Sequence, residues 1–276
     1  MDVLRIAAFS KGAKGGNPAG VAIGEALPEA VEMQRIAAAV GFSETAFAAP
    51  DGEGWRVRYF SPESEVPFCG HATIALGAAL AMQQGDGIFP LTLNEAEITV
   101  EGRQDSGTVT GALQSPPTRS RPLDEDLLER TLALFGLTRD ALDPRIPPAF
   151  AEAGATHVVL GLKERATLAA MSYDLDAGRK LMNDAGLVTI ALVHAEGDGR
   201  FHARNAFASG GVLEDPATGA AAAALAGYLR DIGWPHGGRI EIFQGEDMGM
   251  PSHLIVEIPA ERGSSIRVSG SARVMT

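Results

Sequence analysis

The chain predicts a mixed α/β fold built as two similar halves, and three observations carry that prediction. Short β-branched and aromatic runs alternate with helix-forming segments along all 276 residues. The segment Glu65-Val66-Pro67-Phe68-Cys69-Gly70 recurs as Glu214-Asp215-Pro216-Ala217-Thr218-Gly219, with Glu, Pro and Gly at one offset, and each copy runs into a small-residue helix. Upstream, Arg35-Ile36 through Gly41-Phe42-Ser43-Glu44-Thr45 parallels Lys180-Leu181 through Gly186-Leu187-Val188-Thr189-Ile190.

Taken in order, Val3 to Phe9 has strand composition. Gly12 to Gly20 reads as a turn-rich connection before a short strand at Val21-Ala22-Ile23, and its glycines match neither a dinucleotide fingerprint nor a P-loop. Asn17 therefore reads as part of a fold-defining loop. Pro28 to Val40 is a helix with Val31, Ile36 and Val40 apolar, and Gly41 is its C′ terminator. Phe42 to Phe47 returns to an extended alternation, which leaves Glu44 among apolar and small neighbours. Trp55 to Phe60 is a strand. His71 to Gln83 is a helix that is apolar nearly all round, so it belongs in a core.

Phe89 to Val100 and Thr108 to Leu113 read as strands of an antiparallel edge, and Ser115-Pro116-Pro117-Thr118 as the crossing between domains. Asp124 to Phe135 is an amphipathic helix, Thr156 to Leu160 a strand, and Leu175 to Ala185 a helix ended by Gly186. Val188 to His194 and Phe201 to Phe207 are strands, and Ala220 to Asp231 is the second alanine-rich helix. Ile240 to Phe243, Leu254 to Ile258 and Ile266 to Val274 close the chain as strands.

Composition excludes several classes of partner. Twenty-three basic side chains against thirty-five acidic ones give a formal charge of -12, the wrong sign for nucleic acid or an anionic membrane. The longest small-apolar run, Gly219 to Leu229, is too short to cross a bilayer. Met1 to Ile6 enters directly into a strand and lacks the apolar region of a signal peptide. With one cysteine and so no intramolecular disulfide, the expectation is a cytoplasmic protein. The six histidines show no zinc-ligand spacing together with Cys69, so no metal is expected.

The chemistry concentrates at the two repeated junctions. At Gly70-His71 and Gly219-Ala220 the first amides of a helix lack intrahelical acceptors and face outward at the positive end of the dipole, a seat for an anion such as a carboxylate. The repeat breaks where proton chemistry would need it. Glu44 corresponds to Thr189, Cys69 to Thr218, and Asp215 to Val66. The halves therefore offer one strong candidate base, Glu44, plus polar helpers, which argues for moving a proton on one substrate face rather than inverting a stereocentre. Each candidate has a plain alternative. Glu44 could be a solvated loop residue, His71 a polar helix start, and Asp215 a turn or cap residue before Pro216. Cys69 reads first as a small buried packing residue, although a thiol at a helix N-terminus is an activated one.

The combination Gly16-Asn17-Pro18-Ala19-Gly20, Phe42-Ser43-Glu44-Thr45, Val66-Pro67-Phe68-Cys69-Gly70-His71-Ala72-Thr73, Glu214 to Gly219 and Gln244-Gly245-Glu246-Asp247-Met248-Gly249 resembles the PhzF family of phenazine-biosynthesis-type isomerases, in the same order over the whole chain. The resemblance implies a diaminopimelate epimerase-like fold, in which each domain is a curled mixed sheet around a central helix. The domains would comprise residues 1–115 with 265–276, and 116–264, with the active site between them and the last strand returning to the first. It implies a cofactor-independent isomerase similar to the one acting on trans-2,3-dihydro-3-hydroxyanthranilate, and a homodimer. Glu44 would be the general acid/base, with His71 and Asp215 contacting the substrate. Gly70, Thr218, Gly219 and Ala220 would hold its carboxylate. Ala220 stands where the phenazine enzyme has a serine, which removes a hydroxyl near the substrate and keeps the backbone amide. The alternatives are an amino-acid epimerase or hydroxyproline-type dehydratase on the same scaffold, or a non-catalytic small-anion binder.

Overall fold

Both small-residue segments form helices buried along nearly their whole length. The computed structural model describes residues 1–275. Its elements begin with β1 (Leu4–Ala8), β2 (Asn17–Ile23), α1 (Ala30–Val40), β3 (Thr45–Asp51), β4 (Gly54–Phe60), β5 (Glu65–Val66), α2 (Gly70–Gln84), β6 (Gly87–Thr92), β7 (Glu97–Asp105) and β8 (Thr108–Gln114). They continue with β9 (Arg119–Pro122), α3 (Glu125–Leu134), β10 (Ala149–Glu152), β11 (Thr156–Gly161), α4 (Arg165–Ala169), α5 (Leu175–Asp184), β12 (Thr189–Ala195) and β13 (Arg200–Ala206). The last are β14 (Glu214–Asp215), α6 (Gly219–Asp231), β15 (Arg239–Gln244), β16 (Ser252–Glu257) and β17 (Arg267–Val274).

Contacts divide the chain into two compact units, Met1–Gln114 with the segment from Ser269, and Ser115–Val268. In the first unit β1 pairs antiparallel with β2, β2 parallel with β3, β3 antiparallel with β4, β4 parallel with β6, and β6 antiparallel with β7. β7 continues antiparallel to β8, and β17 pairs with both β8 and β1, so the sheet closes on itself. α2 packs against β1, β2, β7 and β8. Every residue from His71 to Ala81 is buried, as a helix without a polar face requires.

In the second unit the same alternation of senses recurs. β10–β11 is antiparallel, β11–β12 parallel, β12–β13 antiparallel, β13–β15 parallel and β15–β16 antiparallel. α6 packs on β9, β10, β11 and β16, and α3, α4 and α5 cover the other face over Val158, Leu160, Ile190 and Leu192. The fold is thus a duplicated mixed α/β architecture.

Three local expectations change. β2 begins at Asn17 rather than after Gly20, so Asn17 and Pro18 pair with Ala8 and Ala7 instead of forming a loop. Pro18 is tolerated there because pairing with β3 starts only at Gly20, and a missing N–H near a strand start costs little. The stretch from Phe89 to Val100 is two strands joined by a turn in which the Leu93 N–H donates to Ala96 O at 2.8 Å. Those strands are not an edge, since β8 is flanked by β7 and β17. β10 and α4, at four and five residues, were too short to register as periodic segments. No helix is long and apolar enough to cross a membrane.

Candidate active site

Glu44 is placed by the end of α1 and the start of β3. Gly41 caps α1 in the left-handed region (φ 73°), with its N–H donating to Ala37 O at 3.0 Å, and the chain turns at once into the sheet. The Gly20 N–H donates to the Glu44 carbonyl at 3.1 Å and fixes the backbone there. The side chain is 15% exposed, so water still reaches it while most of its surroundings are protein.

The β4–β5 hairpin delivers α2 to the same place. Arg58 grips Glu65 with two parallel N–H···O bonds of 2.7 and 2.6 Å, holding β5 against β4 before Pro67 ends the strand. Cys69 is the N-cap of α2 in extended conformation and makes no side-chain cap. Its carbonyl accepts from Thr73 N at 3.0 Å and from Thr73 Oγ1 at 2.7 Å, and the buried Tyr59 hydroxyl meets Thr73 Oγ1 at 2.7 Å. Because that Oγ1 proton is committed to the Cys69 carbonyl, Tyr59 is the donor. Burial pushes the Tyr59 phenol far above its ordinary pKa, which keeps it a donor at any working pH.

His71, the second residue of α2, is buried between a carboxylate and a thiol. Its Nε2 lies 3.4 Å from Glu44 Oε2 and 3.4 Å from Ser43 Oγ. Cys69 Sγ lies 3.4 Å from Nδ1 and 3.9 Å from Nε2. The tautomer with its proton on Nε2 donates to Glu44 and leaves Nδ1 to accept from the thiol.

Sequence spacing showed no such cluster, yet the donor atoms of Glu44, Cys69 and His71 lie within 4.8 Å of one another, close enough to consider a metal. The Glu44 carboxylate lies 3.4 Å from Nε2 and the thiol 3.4 Å from Nδ1 and 3.9 Å from Nε2, so the imidazole can exchange a proton with either group.

In the second unit, Asp215 ends β14 and is buried beside the start of α6. Thr218, the N-cap, donates its hydroxyl to Asp215 Oδ2. Gln244, at the end of β15, accepts from Thr218 N at 3.2 Å and donates to Asp215 O at 2.6 Å and Thr218 Oγ1 at 3.2 Å. Gly219 and Ala220 are the first residues of α6, as Gly70 and His71 are of α2. Arg204 forks onto Glu214, with Nη2 to Oε2 at 2.5 Å, where Arg58 forks onto Glu65 in the first unit. Both arginines stand two residues before the strand residue paired with the repeated glutamate.

Each unit thus assembles its own part of the expected set: Glu44, Gly70 and His71 in one, Asp215, Thr218, Gly219 and Ala220 in the other. Sequence reasoning missed Ser43, the Tyr59–Thr73 brace and both arginines. The arginines lie seven and ten residues before their glutamates, so the repeat read at one offset does not align them.

A family model for phenazine biosynthesis-like proteins, PhzC-PhzF, matches residues 6–276. The chain belongs to the PhzC-PhzF family. Among PhzC-PhzF relatives, it is 32% identical over 281 residues to an uncharacterized isomerase of Deinococcus radiodurans, covering 98% of this chain and 91% of that protein. It is 34% identical over 279 residues to the trans-2,3-dihydro-3-hydroxyanthranilate isomerase of Pseudomonas aeruginosa, covering 96% and 94% of the two. The crystal structure of a PhzF-family protein of Bacillus anthracis superposes with a TM-score of 0.85 at 22% identity, covering 99% of this chain and 96% of that one, and confirms the fold.

Proposed function

We propose that this PhzC-PhzF isomerase moves a proton along a small carboxylate substrate, with Glu44 as the group that carries it. The observation behind this reading is the partly buried Glu44 carboxylate set 3.4 Å from the buried imidazole of His71 at a helix N-terminus. Glu44 removes an acidic proton beside a π-system and returns it at another carbon. His71, donating from Nε2, stabilises the carboxylate between the two transfers. The amides at Gly70 and His71, at the start of α2, offer the substrate carboxylate a seat. Asp215, which accepts from Thr218, meets a donor on the substrate, an amine or a hydroxyl. The cycle needs no cofactor, because the proton both leaves and returns through one side chain.

Two-base epimerisation fits less well. The second unit has Thr189 in the place of Glu44, where it bonds to His157, and Thr218 in the place of Cys69. Neither is a base at neutral pH.

The experiment is incubation in heavy water with trans-2,3-dihydro-3-hydroxyanthranilate, the substrate named for a relative. Isomerisation with deuterium incorporation, slowed by about 10²–10⁴-fold in Glu44→Gln, is the expected result. Saturable binding without exchange would mark a non-catalytic binder, and a normal rate in the variant would remove Glu44 from the mechanism.

A further inference from the structure

We propose that Gln244 is a positioning residue that fixes Asp215 as a hydrogen-bond acceptor, an inference that deepens the reading above and rests on it. Gln244 is 1% exposed, so its amide must find all its partners within the protein. Two of those partners are backbone groups of opposite kind. The Thr218 N–H, 3.2 Å away, can be met only by the amide oxygen, and the Asp215 carbonyl, 2.6 Å away, only by the amide NH₂. The orientation of the amide is therefore dictated by the main chain rather than left open, as an amide flip usually is.

The rest follows by direction of donation. The second Nε2 hydrogen donates to Thr218 Oγ1 at 3.2 Å, so that hydroxyl receives from Gln244 and must send its own proton elsewhere. It sends it to Asp215 Oδ2. The relay runs one way, from Gln244 through Thr218 to Asp215, and it ends on a carboxyl oxygen that accepts. A ligand group meeting that carboxylate has to be a donor: an ammonium, an amine or a hydroxyl.

The repeat shows that the fold itself does not demand this arrangement. Matching Arg204 with Arg58, and the parallel pairings His202↔Phe243 and Arg56↔Thr92, places Gln244 over Leu93 of the first unit. There a buried leucine fills the position and no acid stands at Val66. The turn after Gln244 is equally specific. Gly245 has φ 74°, and an added Cβ would lie 2.8 Å from the Pro216 carbonyl oxygen, so this loop is packed directly on the segment between Asp215 and Thr218.

Gln244→Glu preserves shape and removes the donor, so Thr218 turns its hydroxyl toward position 244 and Asp215 loses the bond from Thr218. With trans-2,3-dihydro-3-hydroxyanthranilate as the probe, KM should rise about tenfold with kcat changed by less than about threefold, since hydrogen bonds to charged groups are among the stronger ones. Thr218→Val should do the same, and the double variant should be no worse than either single one. A KM within about twofold of wild type in Gln244→Glu, or multiplied effects in the double variant, overturns the proposal. A purely structural role would lower stability without this split.

Hydrogen exchange on the free protein separates the proposal from the reading it rests on. Both Gln244 side-chain amide protons should exchange slowly, and Thr218→Val should release one of them. Fast exchange of both in wild type overturns the positioning role whatever the probe does. Slow exchange in a protein that neither binds nor converts the probe keeps the positioning role and discards the substrate reading.

Discussion

His157 is a histidine that the proposed chemistry does not use, and its surroundings have a measurable consequence. It is fully buried on β11, with Nδ1 at 2.8 Å from Thr189 Oγ1 and no partner for Nε2. Burial lowers its pKa from the ordinary 6.5 to about 4, because the charged ring cannot be solvated there. Below the ordinary pKa the unfolded chain binds a proton that the folded chain refuses. The stability present above that value is therefore lost as pH falls through the window down to about 4, by about 3 kcal/mol in all. His157→Gln removes the titrating group and can keep a bond to Thr189. Denaturant midpoints measured from neutral pH down to about 4 should fall less steeply in the variant than in wild type. Parallel curves would show that His157 is not the group responsible.

At the scale of elements, the sheet of the first unit approaches α2 through glycines. An added Cβ at Gly102 would overlap the Gly77 carbonyl oxygen, and one at Gly111 would lie 2.6 Å from Ile74 O. Backbone oxygens in the middle of a buried helix have nowhere to move. Gly77→Ala is less severe, for its Cβ would meet a Val100 methyl at 2.5 Å and the Glu101 carbonyl oxygen only at 3.1 Å, and would gain about 1 kcal/mol of helix propensity. Gly102→Ala should therefore cost about 1–3 kcal/mol and clearly more than Gly77→Ala in urea unfolding. Equal costs would mean that β7 moves away from α2 freely.

The same elements show what can be read from a sequence. α1 with its Gly41 cap and the two alanine helices were legible, because capping and composition are local signals. β10 and the start of β2 were not, because pairing with neighbours rather than propensity makes them strands. Glu44 stood out through the break it makes in the repeat. Its contact with His71 could not be read, since 27 residues separate them and only the β4–β5 hairpin brings α2 back to the start of β3. Gln244 stood inside a recognised motif, but its role depends on two backbone groups at Asp215 and Thr218 that only the fold brings to it.

For the molecule as a whole, the chain order and the unit order do not coincide. The chain leaves the first unit at Gln114, and from Ser269 it supplies that unit again. β17 pairs antiparallel with β1, Ile6 opposite Val274 and Ala8 opposite Ala272, and pairs also with β8. Ser271 O accepts from the Ser10 N–H at 2.9 Å, which holds the end of β1 as well. A chain stopped at Val268 would leave β1 and β8 each with an open edge over a buried, wholly apolar helix, and such edges invite pairing with other chains. The seven strands β9 to β13, β15 and β16 pair with one another within residues 115–268. Deleting the segment from Ser269 should therefore abolish hydrogen-exchange protection in β1 to β4 and α2 while β10 to β13 stay protected. It should also promote aggregation. Loss of protection throughout the chain would show that the second unit does not hold its structure without a closed first unit, and retained protection in α2 would show that β17 is dispensable for closing the sheet.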